Sequence, residues 1–301
     1  MKKDFVTLKK WSGAEIEALF KQAELLKHSK GKPLAGKSLA LIFQKPSMRT
    51  RVSFEVGMFQ LGGTVIYLGP DDIQLGVREP VEDIALVLSR YVDGIVARTF
   101  AHQDVETLAR HAAVPVINGL SDDEHPCQAL ADLYTIRQIY KKLKGIKIAY
   151  VGDGNNVLCS LLHGASLVGA DLSAATPKGY EPPSSVVREA ETFAKKSGSC
   201  ICVGSDPREA VHEADIVYTD VWTSMGQEKE KEKRLGDFQG FQINETLMKL
   251  AKPSARFMHC LPAHRGEEVS AQVLEGKQSV VLDQAENRLH VQKAILVTLL
   301  K

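Results

Sequence analysis

Short apolar runs alternate with longer helix-patterned stretches along most of this chain, and few folds accept that alternation. Parallel strands need a crossover between them, usually a helix, so the pattern calls for an α/β fold with parallel sheets. The strand candidates are Lys37–Phe43 (KSLALIF), Thr64–Leu68, Gly94–Ala97, Val114–Ile117, Ile146–Val151 (IKIAYV), Asp171–Ala175, Ile216–Thr219, Arg256–His259 and Val280–Asp283. Helices are expected near Thr50–Leu61, Val81–Tyr91, Leu158–Val168 and Arg288–Leu300, with Asn118–Gly119 as a turn. At about 150 residues per domain, the chain's 301 residues predict two domains. The pattern breaks at a helix from about Pro126 to Leu143 and then restarts. The expected organisation is two doubly wound parallel-sheet domains, 1–140 and 141–285, linked by helices. Residues 286–301 form a C-terminal helix that packs back on the first domain.

Charge narrows the function classes. Thirty-eight Lys and Arg against 37 Asp and Glu leave +1, so no basic coat for nucleic acid or a membrane surface is expected. The C-terminal AILVTLL is far shorter than the roughly 18 apolar residues of a membrane span. The start MKKDF has no apolar signal core. Cys127, Cys159, Cys200, Cys202 and Cys260 contain no CxxC pair, which favours free thiols in a reducing compartment. A cytoplasmic protein with small-molecule partners is expected.

Several segments carry polar groups where a ligand could use them. Ser47-Met48-Arg49-Thr50-Arg51 follows a strand and opens a helix, where free N–H groups and the dipole attract anions. Arginine forks suit phosphate oxygens, although the same stretch also reads as an ordinary capped helix. Arg98 stands at a strand's carboxyl end, where open α/β sheets bind ligands. His125 and Gln128, three apart at a helix start, could both donate to one carbonyl oxygen. Gly152-Asp153-Gly154-Asn155-Asn156 lacks the third glycine of a dinucleotide fingerprint, leaving that binding weakly supported. Its asparagines could hold a small zwitterion, or the stretch could be a plain turn. Asp220-Val221-Trp222-Thr223-Ser224-Met225-Gly226 offers a carboxylate for an ammonium. His259-Cys260-Leu261-Pro262 offers a thiol that reads as nucleophile, proton acceptor or buried side chain. The dense run Glu228–Arg234 (EKEKEKR) reads as a solvated helix face or the edge of a flap.

SMRTR, HPCQ, DVWTSMG and HCLP, in this order and at these distances, make the chain resemble the ornithine-using members of the aspartate/ornithine transcarbamoylase family over essentially its whole length. The resemblance implies that carbamoyl phosphate is held by Ser47, Met48, Arg49 and Thr50 at its phosphate. It places Arg98, His125 and Gln128 at the carbamoyl group, with Gln74, Cys260, Leu261 and Arg288 as further contacts. It gives ornithine to Asn156, Asp220, Ser224 and Met225. It implies a homotrimer or an assembly of trimers, with Gln74 serving a neighbour's site. It also implies a cis Leu261–Pro262 bond and neither metal nor organic cofactor. Met48 departs from the threonine usual in the phosphate motif, which costs little if that position uses its backbone N–H and about 0.5–1.5 kcal/mol of binding if a hydroxyl bond is needed.

The expected reaction is carbamoyl transfer to the δ-amine of ornithine, giving citrulline and phosphate, in arginine biosynthesis. Cys260 and Asp220 would take the amine's proton, while Thr50, Arg98 and His125 steady the developing oxyanion. A transcarbamoylase for aspartate, putrescine or an acylated ornithine is the nearest rival. A nicotinamide-dependent dehydrogenase and a small-anion-binding regulator are more distant ones.

Overall fold

The computed structural model describes residues 2–301 and divides them into two compact units. The first contains the chain up to Ala131 together with Glu286–Lys301, and the second contains Asp132–Ala285. The division falls inside the helix Pro126–Tyr140 rather than after it. The residues that return to the first unit belong to the helix Val281–Leu300.

Four strands make the first sheet: β1 Ser38–Phe43, β2 Thr64–Leu68, β3 Gly94–Arg98 and β4 Val116–Leu120, in the order β2-β1-β3-β4. Every pairing is parallel. Central strands of such a sheet are covered on both faces, so they read as unbroken apolar runs. That accounts for LALIF in β1, all of it fully buried. Edge strand β2 has no fully buried position. Helix Met48–Leu61 follows β1 and ends at Gly62 in the left-handed conformation, φ 89°. The N-terminal segment adds to β4 through Phe5, whose N–H donates to Val116 O and whose carbonyl accepts from Asn118 N.

Asn118 and Gly119 lie inside β4 and not in the expected turn. The glycine is there for close approach, since a Cβ would sit 3.1 Å from Val96 Cγ1 and 3.3 Å from Ala97 O. Asn118 uses its amide to donate to Val6 O across the sheet.

The second sheet orders its strands β7-β6-β5-β8-β9, again all parallel. They are β5 Lys147–Val151, β6 Asp171–Ala175, β7 Ile201–Gly204, β8 Ile216–Thr219 and β9 Arg256–His259. The short edge strand β7 has no expectation from sequence, because four residues with half their side chains exposed carry too little pattern. The expected strand Val280–Asp283 is a correction in the other direction. Only Ser279, just before this segment, bridges to Phe257 of β9, and from Val281 the chain is helical. LDQAENR after Val281 is rich in good helix formers, which outweighs two valines. No helix among the described residues is long and apolar enough to cross a membrane. All five cysteines are free thiols.

Candidate active site

In the first unit the strand ends deliver the groups. Beyond β1 the chain turns through Gln44, Lys45 and Pro46 into Ser47, which caps the helix Met48–Leu61 by accepting from Thr50 N at 3.2 Å. The capping serine leaves the other first-turn N–H groups pointing out of the helix start, an anion-binding geometry. Met48, the first residue of that helix, is 69% exposed. Arg51 turns aside to stack over Tyr67 and pair with Glu55. Gln44 steadies the neighbouring loops, accepting from Phe100 N and donating to Leu75 O.

Arg98 is the last residue of β3 and is buried, at an irregularity in the β3–β4 register. His125 and Gln128 open the helix Pro126–Tyr140 and are also buried. Arg288 arrives from the C-terminal helix, donating from Nη1 to Gln128 Oε1 and from Nη2 to Thr50 Oγ1. With its amide turned to suit the network, Gln292 accepts from Arg288 Nη2 and Nε at 2.9 and 3.0 Å. Burial, and then the charges of Arg288, Arg98 and Arg49, hold the His125 imidazole well below its ordinary range. It is therefore a neutral ring that can donate to a carbonyl oxygen. Its neighbour Cys127 is inert, its thiol pushed up to about 12 by burial. Gln74 stands apart on an exposed turn with φ 44°.

In the second unit three strand ends converge. Asp220 follows β8 and is buried. Its Oδ1 accepts from Cys260 Sγ and from its neighbour Val221 N, both at 2.8 Å, and its Oδ2 accepts from Asn155 Nδ2 at 2.7 Å. Asn155 also caps the helix Asn156–Val168, its Oδ1 taking the N–H groups of Val157 and Leu158. Asn156 begins that helix. Cys260 is half-buried, and after it Leu261 adopts φ 58° with a cis bond to Pro262. A left-handed leucine persists only where its neighbours hold it. Here Leu261 N donates to His259 Nδ1 at 2.8 Å. That leaves the ring proton on Nε2, which faces Glu268 Oε1 at 3.3 Å, both groups fully buried. Ser224 is half-buried and Met225 44% exposed on the segment beyond Trp222.

Sequence reasoning passed over three residues here. Asp153 and Arg234 form a buried ion pair, Oδ2 to Nη1 at 3.0 Å, so the charged run is not wholly solvated. Burial pushes the Asp153 carboxyl up to about 6, with Arg234 opposing it. Asn155 was seen only as a possible ligand, yet it orients Asp220. Its place at a helix N-cap signals the capping role but not the bond to Asp220. Gly154 closes off the dinucleotide idea, because a Cβ there would collide with the chain's own Tyr180–Pro182 backbone. No room remains for a pyrophosphate against that glycine. Two groups, Asp220–His259–Cys260 and His264–Glu267–Glu268, bring ligand-type atoms within 4.8 Å of one another. In the first, all three side chains already serve the hydrogen bonds just described.

Comparison with known proteins finds similarity along the whole chain. Residues 3–138 match the family model for the carbamoyl-P binding domain of aspartate/ornithine carbamoyltransferase, and residues 144–299 match that for its Asp/Orn binding domain. The ornithine carbamoyltransferase of Anoxybacillus flavithermus is 55% identical, the match covering 99% of this chain and 96% of the relative. That of Bacillus subtilis is also 55% identical, over 99% of this chain and 94% of the relative. The solved ornithine carbamoyltransferase from Pyrococcus furiosus superposes with a TM-score of 0.97 at 52% identity, covering 99% of this chain and 97% of that one. The matches run through both units and almost every residue, and the chain belongs to the aspartate/ornithine carbamoyltransferase family.

Proposed function

We propose that this chain transfers the carbamoyl group of carbamoyl phosphate to the δ-amine of L-ornithine, giving L-citrulline and phosphate. The observation that carries the choice of ornithine is the buried Asp220 carboxylate bonded to the Cys260 thiol at 2.8 Å, with no Lys or Arg in Asp220–Gly226. An anionic side chain such as aspartate's would be repelled there, whereas an ammonium is attracted. The relatives named above carry the same activity in their names.

The amine must lose a proton before it attacks. For an ordinary alkylamine of pKa about 10.4 that costs about 4.6 kcal/mol at pH 7. Cys260 takes the proton as its own thiol proton passes to Asp220 Oδ1, along the bond already formed. The amine nitrogen then bonds to the carbamoyl carbon, whose oxygen gains charge. Thr50, Arg98 and neutral His125 donate to that oxygen, with Gln128 and Leu261 orienting the carbamoyl group. Collapse breaks the C–O bond to phosphate, which leaves with the nitrogen's second proton. Ser47, the Met48 and Arg49 N–H groups, the Arg49 guanidinium and the helix dipole take the phosphate charge. Arg288 acts at Thr50 and Gln128. Asn156, Ser224 and Met225 hold the amino-acid end and stem of ornithine. No electrons change hands, so the transfer calls for no redox cofactor.

The working form is a homotrimer or an assembly of trimers, with Gln74 reaching a neighbour's site, in the cytoplasm and in arginine biosynthesis. An apolar stripe supports the association: Met48, Val52 and Phe59 are 69%, 47% and 79% exposed on one face of their helix, beside Ile66 of edge strand β2 at 48%. Such a stripe on a helix facing water marks a contact surface.

Asp220→Asn tests the function, since it keeps shape and removes charge. Assayed with ornithine, aspartate and putrescine in parallel, the parent should use ornithine. The variant should raise KM for ornithine and lower kcat, with carbamoyl phosphate affinity nearly unchanged. Equal turnover of ornithine by variant and parent would reopen the choice of substrate.

A further inference from the structure

Between Trp222 and Arg234 the second unit carries an excursion of mostly exposed residues, 223–233, which includes Ser224 and Met225. Its entry is fixed by Trp222, buried and packed on Phe238 in the apolar core. Its exit is fixed by Arg234, also buried. Arg234 Nη1 donates at once to Trp222 O (2.9 Å) and to Asp153 Oδ2 (3.0 Å), while Nε donates to Glu230 and the guanidinium lies over Tyr180. One nitrogen therefore ties the exit to the entry, and both to the turn after β5. That same turn supplies Asn155, which orients Asp220. Residues 231–233 begin the helix Lys231–Asp237, which runs on through Arg234, and the remaining ties seen on the excursion are internal or exposed: Ser224 N to Gln227, Gly226 N to Glu228, and Lys231 to Glu267. Exposed pairs fix a loop weakly, so its position depends on the buried base.

We propose that Arg234 and Asp153 are positioning residues for the amino-acid substrate: their buried pair clamps the base of the 223–233 excursion and so sets Ser224 and Met225 against Asp220. This rests on the ornithine reading above. A guanidinium fork suits this role, because a lysine ammonium, a compact point charge on a flexible stem, cannot reproduce the planar set of bonds. Carbamoyl phosphate, held in that reading by groups of the first unit and by Cys260 and Leu261, none of them on the excursion, should not register the clamp.

The test uses the full chain with Arg234→Gln, Arg234→Lys, Asp153→Asn and the double variant Arg234→Gln/Asp153→Asn. Arg234→Gln should raise KM for ornithine by about tenfold or more, the scale of an ångström-level misplacement, with KM for carbamoyl phosphate within about twofold. Arg234→Lys should fall between it and the parent. The double variant should be no worse than the worse single one, because the pair acts as a unit. Hydrogen exchange without ligand should quicken in 223–233 in Arg234→Gln. Unchanged exchange there, or a parallel rise in both KM values, would overturn the clamp. A parent that makes no citrulline would overturn the ornithine reading instead, while exchange still decides whether the base is clamped.

Discussion

His125 shares its surroundings with Arg49, Arg98 and Arg288, and those charges together with burial fix its protonation state. The folded chain resists a proton that the unfolded chain accepts near pH 6.5. The sign follows: the folded pKa lies below the unfolded one, so this contribution to stability is complete above about pH 6.5 and is lost as pH falls. Urea unfolding of the parent should therefore weaken on acidification, and His125→Gln should flatten that slope. An identical slope in both would show that His125 does not titrate differently on folding. At this scale the sequence exposed the residue types well. Arg98, His125, Asp220 and Cys260 all stand at strand or helix ends, where chemistry is expected. It could not expose Asn155 or Asp153 as partners of Asp220 and Arg234. Those contacts join positions 65 and 81 residues apart, and no local pattern encodes them.

In the helix Met48–Leu61 one cap bears on stability and, in the proposed function, also on binding. Ser47 satisfies Thr50 N, and its removal exposes an unpaired donor at the helix start. Ser47→Ala should cost about 1 kcal/mol of unfolding free energy, and Ser47→Gly only a few tenths. Both should weaken carbamoyl phosphate by removing the hydroxyl, which separates the capping and binding roles. Equal stability of parent and Ser47→Ala would remove the cap from the account. Elements with a full pattern were legible from sequence, β1 and β5 above all. Short edge elements were not: β7 has four residues with half their side chains exposed. Val280–Asp283 misled because two adjacent valines favour a strand, while the residues after them commit the chain to a helix. Asn118–Gly119 misled because the pair signals a turn when isolated, whereas here packing against Val96 selects a strand.

For the whole molecule, the exposed stripe on the Met48–Leu61 helix bears on assembly. Phe59 is 79% exposed, so Phe59→Asp should leave the isolated chain's fold intact. Sedimentation should find the parent as a trimer or a multiple of one, and the variant smaller. A variant that still sediments as a trimer would place the contact surface elsewhere. By itself the sequence determined the α/β class and the parallel sheets, because strand and helix periodicities are local and survive without tertiary context. It also determined the family, because several short motifs in fixed order carry far more information than any one of them. Only the tertiary structure decided where the chain divides, inside a helix whose pattern is continuous across the boundary. Only it decided that Arg288 joins Thr50 and Gln128, and that one arginine of a charged run is buried on Asp153. The physical reason is the same in each case. Burial and hydrogen-bond partnership across tens or hundreds of residues depend on how elements pack, and composition or spacing along the chain does not record it.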